Sequence, residues 1–124
     1  MRAGDVFRFT GIAEKHVWTI ISDPAQDVVR VLMVNFTSHM PHLDQACCIQ
    51  PGEHAFIKHA SLVNYARARV VTDAALEALR ASGRLELLNP PSPELLSRIR
   101  EGAGRSCTLK LEFADILMEQ ELID

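Results

Sequence analysis

Five histidines are the main candidates for chemistry in this chain, and all of them fall within residues 16–59. Histidine is the side chain that accepts and releases protons near neutral pH. Two imidazole rings with a nearby cation are enough for general acid/base cleavage of an RNA phosphodiester by its own 2′-hydroxyl. The candidates are His16, His39, His42, His54 and His59.

Two of these histidines have neighbours that favour a catalytic role. His59 follows Lys58, so a permanent cation stands next to a titratable ring. His16 precedes an apolar run that leads into the long run 28–37, which ends in Thr37. Each histidine taken alone is more often a surface or capping residue than a catalyst. We therefore expect His16 and His59, with the hydroxyl of Thr37, to form the catalytic group.

Five further side chains suit contact with an RNA substrate. Trp18 can stack a base, although a place in the core is the commoner use of a tryptophan. Arg69 and Arg67 alternate with alanines, so both point to one face of a strand, which is either a phosphate-binding stripe or a solvated face. Lys58 and His39 complete the expected substrate-binding residues.

Other kinds of chemistry find little support. The spacings His39-x2-His42 and His54-x4-His59 match no established ligand pattern, and neither HExxH nor CxxC is present. No glycine-rich phosphate loop or nucleophile elbow occurs. Ser38 and Ser61 lie near histidines in the sequence, but no oxyanion arrangement can be located for them. We expect neither a metal nor a cofactor.

Length and composition point to one ordinary globular domain. The 124 residues, of which 23% are charged, predict a single domain over 1–124. A net charge of −3 argues against a duplex-DNA-binding protein but leaves room for a short single-stranded RNA site. No apolar window is long enough to span a membrane, and no secretory signal opens the chain. Three cysteines without a spaced framework favour the cytoplasm.

The elements that must position these side chains are short strands followed by helices. The predicted strands are 6–10, 16–22, 28–37, 45–50 and about 65–71. An extended conformation is an alternative for 54–58, and 107–113 alternates like a strand. The predicted helices are 74–82, opened by Thr72-Asp73, and 92–102, opened by Ser92-Pro93-Glu94, with 114–123 more helix-like. Strands first and helices after predict an α+β or small-barrel layout without a parallel sheet.

The register of the second and third strands follows from the turn between them. A hairpin centred between Gln26 and Asp27 pairs residues whose numbers sum to 53. Trp18 then opposes Asn35, and directly opposed residues project to the same side of a sheet. Continued outward, this register places His16 opposite Thr37, whereas one bulge would break the pairing.

Four stretches of the chain resemble the MazF/PemK-like toxins of bacterial type II toxin–antitoxin systems. The opening Gly4-Asp5 and the strand after it resemble the family's first strand. The run 15–24 resembles the strand that in the family usually begins with Arg-Pro and ends in Ser-Pro, and 31–38 resembles the strand that ends in threonine. The helix predicted near Ser92 resembles the family's C-terminal helix. The middle of the chain is divergent.

The resemblance implies a small SH3-like β-barrel of about five to seven mostly antiparallel strands, with two or three helices that are mostly C-terminal. It also implies a homodimeric toxin endoribonuclease that cuts single-stranded RNA without metal and is neutralised by an antitoxin protein. The family's threonine matches Thr37. Its arginine position falls on His16 and the following proline on Val17, so charge stabilisation must come from Lys15, Lys58 or Arg69.

Two other functions fit the same pattern. One is a non-catalytic SH3-like barrel that binds a peptide or protein partner, since one fold serves many functions. The acidic composition and the absence of the family's arginine favour this alternative. The other is a gyrase-poisoning toxin, which shares the barrel.

Overall fold

A computed structural model describes residues 1–13 and 15–124 and contains six strands and three helices among them. The strands are β1 Val6–Phe9, β2 Val17–Ile20, β3 Val31–Ser38, β4 Cys48–Ile49, β5 Ser61–Val71 and β6 Leu85–Leu88. The helices are α1 Asp73–Ala81, α2 Pro93–Arg105 and α3 Leu111–Glu119.

The six strands form one open, fully antiparallel sheet in the order β4-β5-β3-β2-β1-β6. Two of the three helices follow the last strand in the chain. The predicted α+β class, with mostly antiparallel strands and mostly C-terminal helices, is therefore confirmed. Within the described ranges no helix is both long and apolar enough to cross a membrane.

Strand β3 is buried on both faces of the sheet, as its continuous apolar run predicts. Val31 and Met33 pack in one cluster with Leu76 of α1, on what we call the cleft face. Leu32 and Val34 pack in a second cluster, on what we call the helix-covered face. Helices α2 and α3 close the helix-covered face through the following buried residues: Leu95, Ile99, Ala103 and Leu117.

The strand begins later than predicted. Val28 and Val29 were expected inside the buried run, but their side chains are 57% and 65% exposed. The carboxylate of Asp27 accepts hydrogen bonds from the backbone N–H groups of Val29 and Arg30 and so holds a turn there. Because the turn uses these backbone donors, the ladder starts at Val31.

The predicted pairing of β2 with β3 is confirmed over the part that the ladder covers. Trp18 opposes Asn35, and Ile20 opposes Met33. The ladder ends at Trp18, so the expected opposition of His16 and Thr37 lies just beyond it.

A bulge bends the pairing of β3 with β5. Met33 opposes Arg69, whereas Asn35 opposes Asn64, so the register shifts by three residues between these pairs. Extra residues on one strand twist and bend it. The bend changes which side chains of β5 lie beside the polar end of β3.

The C-terminal region differs from its prediction. Residues 107–113 were expected to alternate as a strand, but the chain turns there and Leu111–Glu119 is helical. The hydroxyls of Ser106 and Thr108 both donate to the carboxylate of Asp44, and Ser106 Oγ accepts from the backbone N–H of Leu109. These bonds close a turn that is incompatible with an extended ladder. The extended alternative for 54–58 is also wrong, since this segment is loop and turn.

Both predicted helix starts are confirmed by their caps. Thr72 Oγ1 accepts from the backbone N–H of Ala75, and Ser92 Oγ accepts from that of Leu95. Each bond satisfies one of the backbone donors left free at a helix N-terminus.

Candidate functional site

The polar end of β3 borders an open cleft of about 240 Å³, which we call the imidazole cleft. It brings together three residues that the sequence nominates, His16, Thr37 and His59. Lys15 and Ser38 add a cation and a second hydroxyl to the lining. Its apolar walls are formed by Val17, Phe36, Phe56 and Ile57. The lining therefore combines proton-transfer groups, hydroxyls and a surface on which a flat ring can rest.

The ladder between β3 and β5 positions one side of this cleft. Ser38 opposes Ser61 at the end of the ladder, and the backbone N–H of His39 donates to the carbonyl of Ala60 at 3.0 Å. Because His59 precedes Ala60, these bonds bring His59 close to the end of β3. As a result, Ser38 Oγ lies 2.8 Å from His59 Nε2, a hydrogen bond in an exposed setting.

A backbone carbonyl orients His16. His16 Nδ1 lies 3.3 Å from the carbonyl oxygen of Phe36. A carbonyl only accepts hydrogen bonds, so Nδ1 carries the proton in this contact. In the neutral ring Nε2 is then the nitrogen with a free lone pair. The His16 ring is therefore arranged so that Nε2 can accept a proton.

A second cleft of about 430 Å³, which we call the arginine cleft, adjoins the first at Lys15 and His16, which line both. Its other lining residues are Ala13, Trp18, Asn35, Arg67 and Arg69. Among the lining residues that the structure describes, three carry a permanent positive charge and none is a carboxylate. In a chain of net charge −3, this is a local concentration of positive charge.

Trp18 belongs to the core, in contrast to its expected role as an open stacking surface. Its side chain is 1% exposed and packs with Phe7 and Met33. The guanidinium carbon of Arg69 lies 5.2 Å from the centre of the indole ring, a cation–π distance. The ring therefore holds Arg69 at the cleft.

Two of the expected substrate-binding residues lie outside both linings. Lys58 is exposed and lines neither cleft. His39 Nε2 lies 2.7 Å from the Gln45 side-chain oxygen, while the amide nitrogen of Gln45 donates to the carbonyls of Met40 and Leu43. His39 thus participates in a loop network.

The remaining histidines also lie away from the clefts. His54 Nδ1 accepts from the backbone N–H of Phe56, so its Nε2 donates to the carbonyl of Asn89 at 2.6 Å. Both nitrogens of this ring are used by the fold. His42 is exposed and lines neither cleft.

The cysteines and metal-ligating side chains form no additional centre in the described part of the chain. No group of three or more His, Cys, Asp or Glu side chains is arranged there to hold a metal ion. All three cysteines are free thiols, with Cys47 buried, Cys48 half-buried and Cys107 exposed. Burial raises the pKa of the Cys47 thiol, which leaves it unreactive.

Sequence reasoning missed Asn35 as a site residue. Its side chain is 2% exposed, and the structure gives its carbonyl oxygen no hydrogen-bond partner. The predicted pairing with Trp18 places Asn35 on the correct face, and a polar residue inside an apolar strand is a signal of its own. Arg67, which the alternation with alanines places on one face with Arg69, lines the arginine cleft as well.

No protein-family model matches this chain, and no curated protein sequence matches it significantly.

Proposed function

We propose that this protein is an endoribonuclease that cleaves single-stranded RNA by metal-independent general acid/base chemistry. The observation that carries the proposal is the meeting of His16, Thr37 and His59 in the lining of one cleft. Two imidazoles and a hydroxyl at one site, with Lys15 beside them, are the groups that such a transesterification needs.

In this reaction the 2′-hydroxyl of the substrate attacks the adjacent phosphorus. His16 Nε2 accepts the proton of the 2′-hydroxyl, because His16 Nδ1 is held by the Phe36 carbonyl. A bond forms between the 2′-oxygen and phosphorus, and the bond to the 5′-oxygen breaks. The His59 imidazolium donates a proton to the departing 5′-oxygen. The products are a 2′,3′-cyclic phosphate and a 5′-hydroxyl, and proton exchange with water restores both rings.

The negative charge on the phosphorane oxygens is met by groups in the same lining. The Thr37 hydroxyl donates a hydrogen bond, and Lys15 supplies a permanent cation. Ser38 Oγ holds the His59 ring through the 2.8 Å contact to Nε2, so Nδ1 is the nitrogen left to donate to the 5′-oxygen. In the resembled family an arginine supplies the permanent positive charge. This chain has His16 at that position, and Lys15 supplies the charge instead.

The wider proposal is a toxin of the MazF/PemK-like kind, a homodimer with an SH3-like barrel. Two features support curling of the sheet towards a barrel. The bulge bends β5 where Met33 opposes Arg69, and His54 in the loop after β4 donates to the carbonyl of Asn89, just after β6. Strands β4 and β6 are the two edges of the sheet, so this bond links its opposite ends.

An antitoxin partner is supported by a small apolar cleft next to the arginine cleft. Phe9, Ile12 and Leu79 line it, together with Arg69 and Arg84. Ile12 is 57% exposed. Apolar walls with two arginines suit a peptide that carries apolar and acidic side chains. Because Arg69 lines both clefts, such a peptide would compete with RNA for this residue.

The test is cleavage of a single-stranded RNA by purified protein in the presence of EDTA. We expect 5′-hydroxyl and 2′,3′-cyclic phosphate ends, and a loss of activity of about 10²–10⁴-fold in His16→Ala and in His59→Ala. His42→Ala is the matched control, since His42 is exposed and lines neither cleft. Full activity in both cleft variants, or loss of activity with EDTA, would contradict the proposal.

The second candidate is a non-catalytic module that binds a peptide. Its support is the apolar wall of the imidazole cleft, where Phe56 remains 38% exposed. An apolar wall accepts a peptide side chain as readily as a base. Wild-type protein that cleaves no RNA, but binds a peptide in a manner that Phe56→Ala abolishes, would decide for this candidate.

A further inference from the structure

We propose that the arginine cleft is a nucleotide subsite that holds the unit next to the scissile phosphate. Arg67 and Arg69 bind the phosphate of this unit, and the carbonyl oxygen of Asn35 accepts a hydrogen bond from its base. The inference rests on the proposed function for the position of the scissile bond, but its binding test is independent of cleavage.

The two clefts adjoin each other at Lys15 and His16, which line both. A chain that leaves the imidazole cleft past these two residues reaches the arginine cleft. The second volume, about 430 Å³, is the larger of the two. A polymer with a repeated phosphate therefore fits the arrangement better than a single small molecule does.

The arginine cleft carries positive charge. Arg67 and Arg69 are exposed, and the guanidinium carbon of Arg69 lies 5.2 Å from the centre of the Trp18 ring. Two residues apart on β5, they present two planar donor groups towards one cleft. Guanidinium groups bind phosphate through paired hydrogen bonds. No carboxylate among the described lining residues neutralises them.

The side-chain carbonyl oxygen of Asn35 is buried and has no hydrogen-bond partner. Leaving a buried acceptor without a partner is unfavourable, so an oxygen of this kind is an unusual feature of a folded protein. Asn35 also lines the arginine cleft, so the residue with the unpaired oxygen lies beside Arg67 and Arg69. Every RNA base carries an N–H donor on its pairing edge. A base donor therefore matches what Asn35 lacks.

The helix-covered face provides a comparison within the same sheet. Thr19 opposes Val34 and is 0% exposed, and its hydroxyl also has no hydrogen-bond partner. Thr19 lines neither cleft. Thr19 and Asn35 thus both have a buried polar atom without a hydrogen-bond partner. Of the two, only Asn35 lines the charged cleft.

The experiment measures binding of octamers that cannot be cleaved, the four 2′-O-methyl RNA homopolymers and an abasic octamer with the same backbone. We expect wild type to bind at least one homopolymer more tightly than the abasic octamer. Asn35→Leu lowers that affinity about fivefold to tenfold, the value of one hydrogen bond, without changing binding of the abasic octamer. Thr19→Val, the matched control, changes neither.

The arginine variants test the phosphate contact separately. Arg67→Gln and Arg69→Gln should weaken binding of base-bearing and abasic octamers alike. Each should also reduce the slope of log affinity against log salt by about 0.7, the value for one phosphate contact on a single strand. Arg2→Gln is the charge-matched control, because Arg2 is exposed and lines neither cleft.

The outcomes separate this inference from the proposed function. Wild type that binds no octamer, or Asn35→Leu that binds every octamer like wild type, overturns the subsite. Arginine variants with unchanged salt slopes also overturn it. Wild type that binds octamers as described but cleaves no RNA keeps the subsite and removes the proposed reaction.

Discussion

The two faces of the sheet differ in what covers them. On the helix-covered face, α2 and α3 pack against Leu32 and Val34. On the cleft face, α1 contributes Leu76 as its buried residue, and the apolar cover ends before β3 does. Polar side chains such as Asn35 occupy the remaining length and border the arginine cleft. The arginine cleft thus lies where the sheet extends beyond its helical cover.

On the helix-covered face, polar side chains make hydrogen bonds to backbone carbonyls within the fold. Tyr65 Oη donates to the carbonyl of Ile99 at 2.6 Å, and Arg100 Nε donates to the carbonyl of Ile21 at 2.8 Å. Both bonds fix α2 to the sheet. Burial raises the pKa of the Tyr65 hydroxyl, which therefore remains a donor at any physiological pH. Polar groups under α2 therefore serve packing.

The largest expected effect is the loss of a core side chain on the helix-covered face. Ile99 is 0% exposed and packs in the cluster of Leu32 and Val34. Ile99→Ala leaves a cavity and should lower the free energy of unfolding by about 2–5 kcal/mol. Urea denaturation measures this change. An effect below about 1 kcal/mol would show that α2 does not close this face in the way described.

The second prediction uses two glycines of α2 as a matched pair. A Cβ at Gly102 would overlap the Tyr65 hydroxyl and crowd Cys47, whereas one at Gly104 meets Ile123 at an ordinary 3.7 Å. Gly102→Ala should lower the free energy of unfolding by about 1–3 kcal/mol through overpacking. Gly104→Ala should raise it by about 0.5–1 kcal/mol, because alanine favours the helix. Equal effects at both positions in thermal unfolding would contradict the close approach of α2 to the sheet.

The third prediction concerns pH and the turn after α2. Burial acts to raise the pKa of Asp44, but hydrogen bonds from the Ser106 and Thr108 hydroxyls outweigh it and hold that pKa below its usual range. The folded state thus favours the carboxylate, so this stabilisation is present above about pH 4, the value of a free aspartate, and is lost as pH falls further. Asp44→Asn should lower the free energy of unfolding by about 1.5 kcal/mol at pH 7.

Unfolding by urea at pH 7 and near pH 3 measures the pH prediction. The difference between wild type and Asp44→Asn should shrink at the lower pH, because the carboxyl is then protonated in the unfolded state and the stabilisation from its lowered pKa is being lost. A difference that stays constant between the two pH values would show that the Asp44 charge contributes nothing to the turn.

The smallest expected effect on stability is that of a substitution at Asn35, on the cleft face. The side-chain carbonyl oxygen of Asn35 makes no hydrogen bond, so replacing the residue removes none from that oxygen. Asn35→Leu should therefore change the free energy of unfolding by less than about 1 kcal/mol, in either direction. A loss of several kcal/mol would mean that Asn35 is a structural residue rather than one kept for a ligand.

The strand pattern of the first half of the chain was accessible from sequence because its signals are local. The turn around Gln26 and Asp27 sets the register, and the pairing of Trp18 with Asn35 follows from it. The caps at Thr72 and Ser92 are likewise local. Short-range chemistry of this kind does not depend on how distant segments pack.

The parts that the sequence did not reveal depend on contacts between distant segments. The turn at 106–109 forms because Asp44, 62 residues before Ser106, accepts hydrogen bonds there. The register shift of β5 against β3 places Asn64 opposite Asn35. The Ser38–His59 bond joins residues 21 apart across the end of a ladder. Each requires the tertiary fold before it can be recognised.

The most direct test of the central claim is a double-mutant cycle on RNA cleavage with His16→Ala, His59→Ala and the variant that carries both. Residues that act in one reaction lose activity as a unit, so we expect the double variant to be no less active than the worse single variant, within about threefold. Losses that multiply, or a double variant that retains wild-type activity, would contradict the claim that the two histidines act on one phosphate.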